Sequence, residues 1–164
     1  MKLNIDSASS SVEFAIKNLF VSTVKGHFAD VSGLLDLDHG QPEKSSIHAE
    51  IRTASVDTHD KKRNAHLRNA DFFDVDTYPI AVFDSKHIKQ INEQAYQVTG
   101  DLTLHGITKE VALDVKKLSA QNGNSKQTFE ANTVLDRNEF GIKWGSIMIG
   151  RDANLKIIIN AIPQ

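Results

Sequence analysis

Seven histidines, at positions 27, 39, 48, 59, 66, 87 and 105, are the side chains of this sequence best suited to hold a metal or move a proton. Their spacing argues against a metal. No HExxH run occurs, and His59 and His66 stand two turns apart on the one segment that reads as helical, too far to share an ion without other ligands. No metal is expected, and none for folding. The 164 residues contain no cysteine, which removes disulfides, thiolate metal sites and a cysteine nucleophile. Serine, histidine and aspartate are all present, but no G-x-S-x-G elbow accompanies them. The glycines of GDLTLHG, residues 100 to 106, neither follow dinucleotide spacing nor open a helix, so they form no phosphate loop. No cofactor is expected.

Two basic features remain. Lys61, Lys62, Arg63 and Arg68 cluster on the helical segment and read as a solvated face, or as a phosphate contact at the mouth of a cavity. Arg137, in LDRNEFG, shares the parity of Thr133 and Leu135 if its strand is regular, and so points inward. An inward guanidinium keeps its charge and needs a carboxylate or several carbonyls, as a structural pair or as an anchor for a ligand head group.

Charge and length narrow the partners. Nineteen basic and 21 acidic residues are spread along the chain and leave a formal net charge of -2, which supplies no general field for a polyphosphate backbone. Nucleic acid is not an expected partner. With 40% hydrophobic and 24% charged residues, the chain has the size of one domain, residues 1–164, with enough apolar material to fill a core or wrap a cavity. It nowhere offers the roughly 20 consecutive apolar residues of a membrane-spanning helix, and its opening MKLNIDSASSSVEF lacks the apolar run of a signal peptide.

The elements that must position these residues are mostly strands. SVEFAIK alternates Val12, Phe14 and Ile16 against Glu13, Ala15 and Lys17, and SIHAEIRT alternates Ile47, Ala49, Ile51 and Thr53 against His48, Glu50 and Arg52. GLLDLD, IAVFDSKHI, AYQVTGDLTLHG, EVALDVKKL, QTFEANTVL and NLKIIINAI continue the pattern. HGQPEK, NEQ at 92–94, HGITK at 105–109 and SAQNGNSK at 119–126 read as turns or loops. Short connections between about eight alternating strands imply antiparallel neighbours, hence an all-β up-and-down barrel or a sandwich. One short helix is expected near residues 59–69, capped by Asp57 or Thr58.

On this parity Phe14, Ile16, Leu35, Ile51, Phe83, Leu102, Leu104 and Phe129 face inward, while Glu13, Arg52, Asp101 and Lys116 face water. The inward faces also carry Ala49, Thr53, Ala81, Ser85, Gly100, Ala131 and Thr133, small residues that leave room for a cavity or fit large partners across a solid core. RNAHLRNADFFDVDTYP, residues 63–79, interrupts the sheet with Phe72-Phe73 between Asp71 and Asp74. The carboxylates oppose entry into a membrane, so the phenylalanines are expected to plug one barrel end, and Tyr78-Pro79 to close the excursion.

The order of SSVEFAIKNLFVSTVKGHF, HLRNADFFDVDTYPIAVFDS, VTGDLTLHGITKEVAL and LDRNEFGIKW resembles the YceI family of bacterial polyisoprenoid-binding proteins, over nearly the whole chain. The resemblance implies an extended eight-stranded antiparallel lipocalin-like barrel whose apolar tunnel holds a polyprenyl or quinone-type lipid. It implies a periplasmic protein if a leader has been removed; the sequence read as complete implies a cytoplasmic one. Two departures from the family are Ser10-Ser11, where relatives often carry a histidine-serine pair, and the bulky Trp144.

The candidate ligand-binding residues are the inward set above, with Phe28, Leu37, Phe72, Ala131, Arg137, Phe140, Ile142 and Trp144. The leading function is non-catalytic binding, sequestration or transport of an isoprenoid lipid. A lipid-modifying enzyme using the same cavity and an interaction module with a filled barrel are the alternatives. A homodimer is compatible with each.

Overall fold

Period-two alternation becomes one continuous antiparallel sheet in the computed structural model, which describes residues 1–18, 22–120 and 126–164. Its strands are β1 (Lys2–Ile5), β2 (Ser11–Asn18), β3 (Thr23–Phe28), β4 (Val31–Asp36), β5 (Ser46–Arg52), β6 (Val56–Asp57), β7 (Ile80–Asn92), β8 (Ala95–Leu104), β9 (Ile107–Ala120), β10 (Gln127–Asp136) and β11 (Ile149–Pro163). Each of the pairs β1/β2, β3/β4 and β5/β6 forms one long, interrupted strand. β1 pairs with β4 and β2 with β3, while β4 pairs with β5 and β3 with β6. Counted this way there are eight long strands, and the β1–β11 ladder closes them into a barrel. The expected eight-stranded barrel is therefore present. Residues 121–125 of the expected SAQNGNSK loop, and Phe20-Val21 at the head of FVSTVKGHF, lie outside the described residues.

The break between β1 and β2 has an identifiable fastening. β11 pairs with β2 through Ile158 and with β1 from Ala161, and Asn160 sits between the two ladders. The Asn160 carboxamide donates to the Ser9 carbonyl and accepts from the Thr128 hydroxyl at 2.6 Å, and its backbone N–H donates to the Ser10 hydroxyl at 2.9 Å. Ser10 and Asn160 are both buried. Ser10, one of the two departures from the family pattern, is thus part of the closure. Asn160→Ala leaves the Ser9 carbonyl and Thr128 hydroxyl without these partners, and is expected to cost about 1–3 kcal/mol in urea unfolding. A loss below about 0.5 kcal/mol, the range of ordinary surface substitutions, would contradict this role.

The helix is α1 (Lys61–Arg68), and its cap corrects the sequence expectation. Asp60 caps it, accepting from the Arg63 N–H at 3.1 Å. Thr58 is instead buried, holding Asn64 through its N–H and hydroxyl while Arg63 donates to its hydroxyl and carbonyl. After α1 the chain turns through Asp74 at φ 49 and reaches Tyr78-Pro79, whose carbonyls accept from the buried Thr53 hydroxyl just before β7. Among the described residues no helix is long and apolar enough to cross a membrane.

Candidate functional site

The barrel interior is not filled. It encloses a cavity of about 430 Å³, and all sixteen candidate residues border it. Phe14 and Ile16 reach it from β2, Phe28 from β3, Leu35 from β4 with Leu37 just beyond, and Ile51 from β5. Phe83 enters from β7, Leu102 and Leu104 from β8, and Phe129 and Ala131 from β10. Arg137, Phe140, Ile142 and Trp144 follow β10, and Phe72 follows α1. The volume lies within the roughly 300–1,000 Å³ usual for small-molecule sites. This arrangement favours a cavity over a solid core.

Much of the lining comes from β9 and β11, which supplied no candidates. Val111, Leu113 and Val115 alternate cleanly and could have been read from EVALDVKK. Leu155, Ile157 and Ile159 are harder, because the run Ile157-Ile158-Ile159 hides the parity. Two small residues expected to leave room do not line the cavity. An added Cβ on Gly100 would collide with the Asp84 carbonyl and the Phe83 ring, so that ring already occupies its space. Ser85, opposite Gly100, turns its hydroxyl to accept the Ile47 N–H at 2.8 Å beside an irregularity in the β7–β8 register.

One end of the cavity is covered by the stretch that interrupts the sheet. Phe73 packs edge-on against Phe28 with ring centroids 5.2 Å apart, while Phe72 lies 5.2 Å from Trp144. Both phenylalanines border the cavity, as does His66, whose ring stands edge-on to Phe72 and Trp144 and whose Nε2 faces Asp71 at 2.9 Å. The basic cluster divides: Lys61 and Lys62 are exposed, while Arg63 is tied to Thr58 and borders the cavity.

Arg137 sits under the same end. β10 stops at Asp136 and Arg137 begins a 3-10 turn, Arg137–Phe140, so the regular-strand assumption fails although the side chain still points inward. Only 6% of it is exposed. Its Nε donates to the Gly150 carbonyl at 2.9 Å, Nη1 to Ile142 and Trp144 at 3.0 and 2.8 Å, and Nη2 to Ile149 at 3.2 Å. The planar fork thus ties residues 142–148, which form no strand or helix, to the start of β11 and so organises residues 142–150. Burial pulls the Arg137 pKa below its ordinary value, with a smaller opposing effect of Asp136, whose carboxylate faces Arg151 at 3.6 Å. Four carbonyls therefore stand in for a carboxylate. At the other end of β10, the buried Gln127 borders the cavity, and among the described residues its Oε1 has no hydrogen-bond partner. Nine residues lie between these polar points, ten steps or roughly 34 Å at 3.4 Å per residue.

Comparison with known proteins agrees with this architecture. The model of the YceI-like domain matches residues 3–161. A UPF0312 protein of Serratia proteamaculans (strain 568) is 35% identical over 164 residues, covering 98% of this chain and 85% of the relative. The crystal structure of Burkholderia cenocepacia BcnA matches with a TM-score of 0.86 at 30% identity, covering 95% of this chain and 98% of that one. A polyisoprenoid binding domain from Saccharophagus degradans, implicated in plant cell wall breakdown, has the same fold at a TM-score of 0.77 and 16% identity, covering 99% of this chain and 98% of its own.

Proposed function

Given that the chain belongs to the YceI-like domain family, we propose that it is a non-catalytic carrier that binds or sequesters a long-chain isoprenoid lipid of polyprenyl or quinone type. The observation that carries this reading is the cavity itself, walled by aliphatic and aromatic side chains from almost every strand of the barrel. Such a space is costly to fill with water and favourable to fill with hydrocarbon. At about 0.8 kcal/mol per methylene, a chain of roughly twenty buried carbons gains on the order of 16 kcal/mol. That exceeds most estimates of the cost of association, about 4–15 kcal/mol, which a chain of about five carbons does not. Length, more than any polar contact, would decide retention.

The polar groups on the wall support a carrier over an enzyme, because the fold already uses most of them. The Thr53 hydroxyl serves two carbonyls, Arg137 serves four, and His66 faces Asp71. A head group would meet the remaining Nη2 hydrogen of Arg137 at one end or the Gln127 Oε1 at the other. The name of the Saccharophagus domain is consistent with an isoprenoid.

Trp144 supplies the test. It is the only tryptophan, and its ring lies against the aromatic cover 4.5 Å from His66. Titration with a polyprenol of about twenty or more carbons is expected to change its emission saturably, while a monoterpene alcohol of about ten carbons produces at least tenfold weaker binding, by the same area argument. No saturable change with the long chain, or equal response to both, would count against the proposal.

A further inference from the structure

A second cluster lies outside the barrel, on the face opposite the cavity lining. The β2–β3–β6 register places Glu13 beside His27 and His27 beside Asp57, all on the outward parity. Two residues after Asp57, His59 adopts φ 60, a left-handed conformation uncommon outside glycine but one that histidine takes up more readily than most residues. This bend brings its ring back over β3, with its centroid 6.1 Å from that of His27. One ligand atom from each of His27, Asp57 and His59 then lies within 4.8 Å of the other two.

The carboxylate is already oriented. Asp57 Oδ1 accepts from the His59 N–H at 2.8 Å and from Asn64 Nδ2 at 3.0 Å, and these bonds hold its pKa below the ordinary carboxylate value. Oδ2 and both imidazoles make no hydrogen bond among the described residues. One donor atom from each of the three residues thus lies in a common neighbourhood, and neither imidazole is committed to another partner among the described residues. A tetrahedral ion with bonds of about 2.0–2.2 Å sets its ligand atoms roughly 3.3–3.6 Å apart, so side-chain rotations that draw the three atoms together by about 1–1.5 Å at most would meet that geometry.

We propose that His27, Asp57 and His59 form a binding site for one late first-row divalent metal ion of the zinc class. Two imidazoles and one carboxylate suit zinc, cobalt, nickel or copper, and not magnesium or calcium, which favour all-oxygen shells. Water or Glu13 would complete the coordination. Asn64, already bonded to Asp57, acts as the partner that fixes the carboxylate's direction. The ion would tie β3 to the segment that starts α1. The separation of the ligands in the chain conceals the site from motif rules, since His27 reaches Asp57 only across a ladder.

The test is calorimetric titration of tag-free, chelator-treated protein with zinc chloride. One equivalent is expected to bind, and His27→Ala and Asp57→Asn are each expected to weaken binding at least tenfold. His59→Asn serves as a further variant, because asparagine tolerates the left-handed conformation and keeps the fold. His48→Ala and His87→Ala are expected to leave binding unchanged. With cobalt, the visible absorption of a tetrahedral complex should appear in the parent and vanish in His59→Asn. Since the β3–β6 ladder is only two residue pairs of a much larger sheet, chelation should leave the circular dichroism spectrum intact. No zinc binding at millimolar concentration, or binding that all three cluster variants retain, would overturn the proposal.

Discussion

Ala131→Phe is expected to lower uptake of a long polyprenol at least tenfold while the barrel remains folded. Ala131 is buried, borders the cavity and sits in register between Val115 on β9 and Ile157 on β11, which line it too. A benzyl group there would extend into open space and gain roughly 1.5–3 kcal/mol from burial of its ring. In a filled interior the same change would overpack the core at a cost of about 1–3 kcal/mol. The two outcomes differ in sign. Melting temperature and lipid uptake, measured on the same variant, separate them. A clear fall in melting temperature with uptake unchanged would mean that the cavity is not the lipid site.

Arg137→Ala is expected to be the most destabilising single change in the molecule. It removes the donors to the carbonyls of Ile142, Trp144, Ile149 and Gly150 and leaves those groups around a void. Breaking so buried an arrangement costs about 3–5 kcal/mol. For a chain of this size the melting point should drop roughly 6–20 °C, at about 2–4 °C per kcal/mol. Arg137→Lys keeps the charge but not the fork and should recover less than half of the loss. A melting point within about 3 °C of the parent, less than the equivalent of 2 kcal/mol, would show that residues 142–150 hold themselves in place.

The parts of this architecture legible in the sequence were those with local causes. Phe14 and Ile16, or Leu102 and Leu104, could be placed because side-chain direction along a strand follows from parity alone. The closure at Asn160 could not, since its partners Ser9 and Ser10 lie about 150 residues away in sequence. Gly100 suggested open space because composition does not reveal that the Phe83 ring covers it. Thr58 looked like a helix cap, but burial directs its hydroxyl to Asn64 and Arg63, and Asp60 takes the cap. Arg137 had the right direction for an incomplete reason, as its strand ends one residue earlier. The aromatic cover illustrates both sides. Its acids showed that Phe72-Phe73 would turn inward, yet only the fold reveals Phe28 and Trp144 as what they meet.

Native mass spectrometry of the protein, purified without detergent and then exposed to a total bacterial lipid extract, tests the central claim most directly. The account predicts a complex heavier by one lipid molecule, whose extraction and fragmentation give a series of five-carbon isoprene losses. A protein that stays at its bare chain mass after this exposure, or that takes up only straight-chain fatty acids, would contradict it.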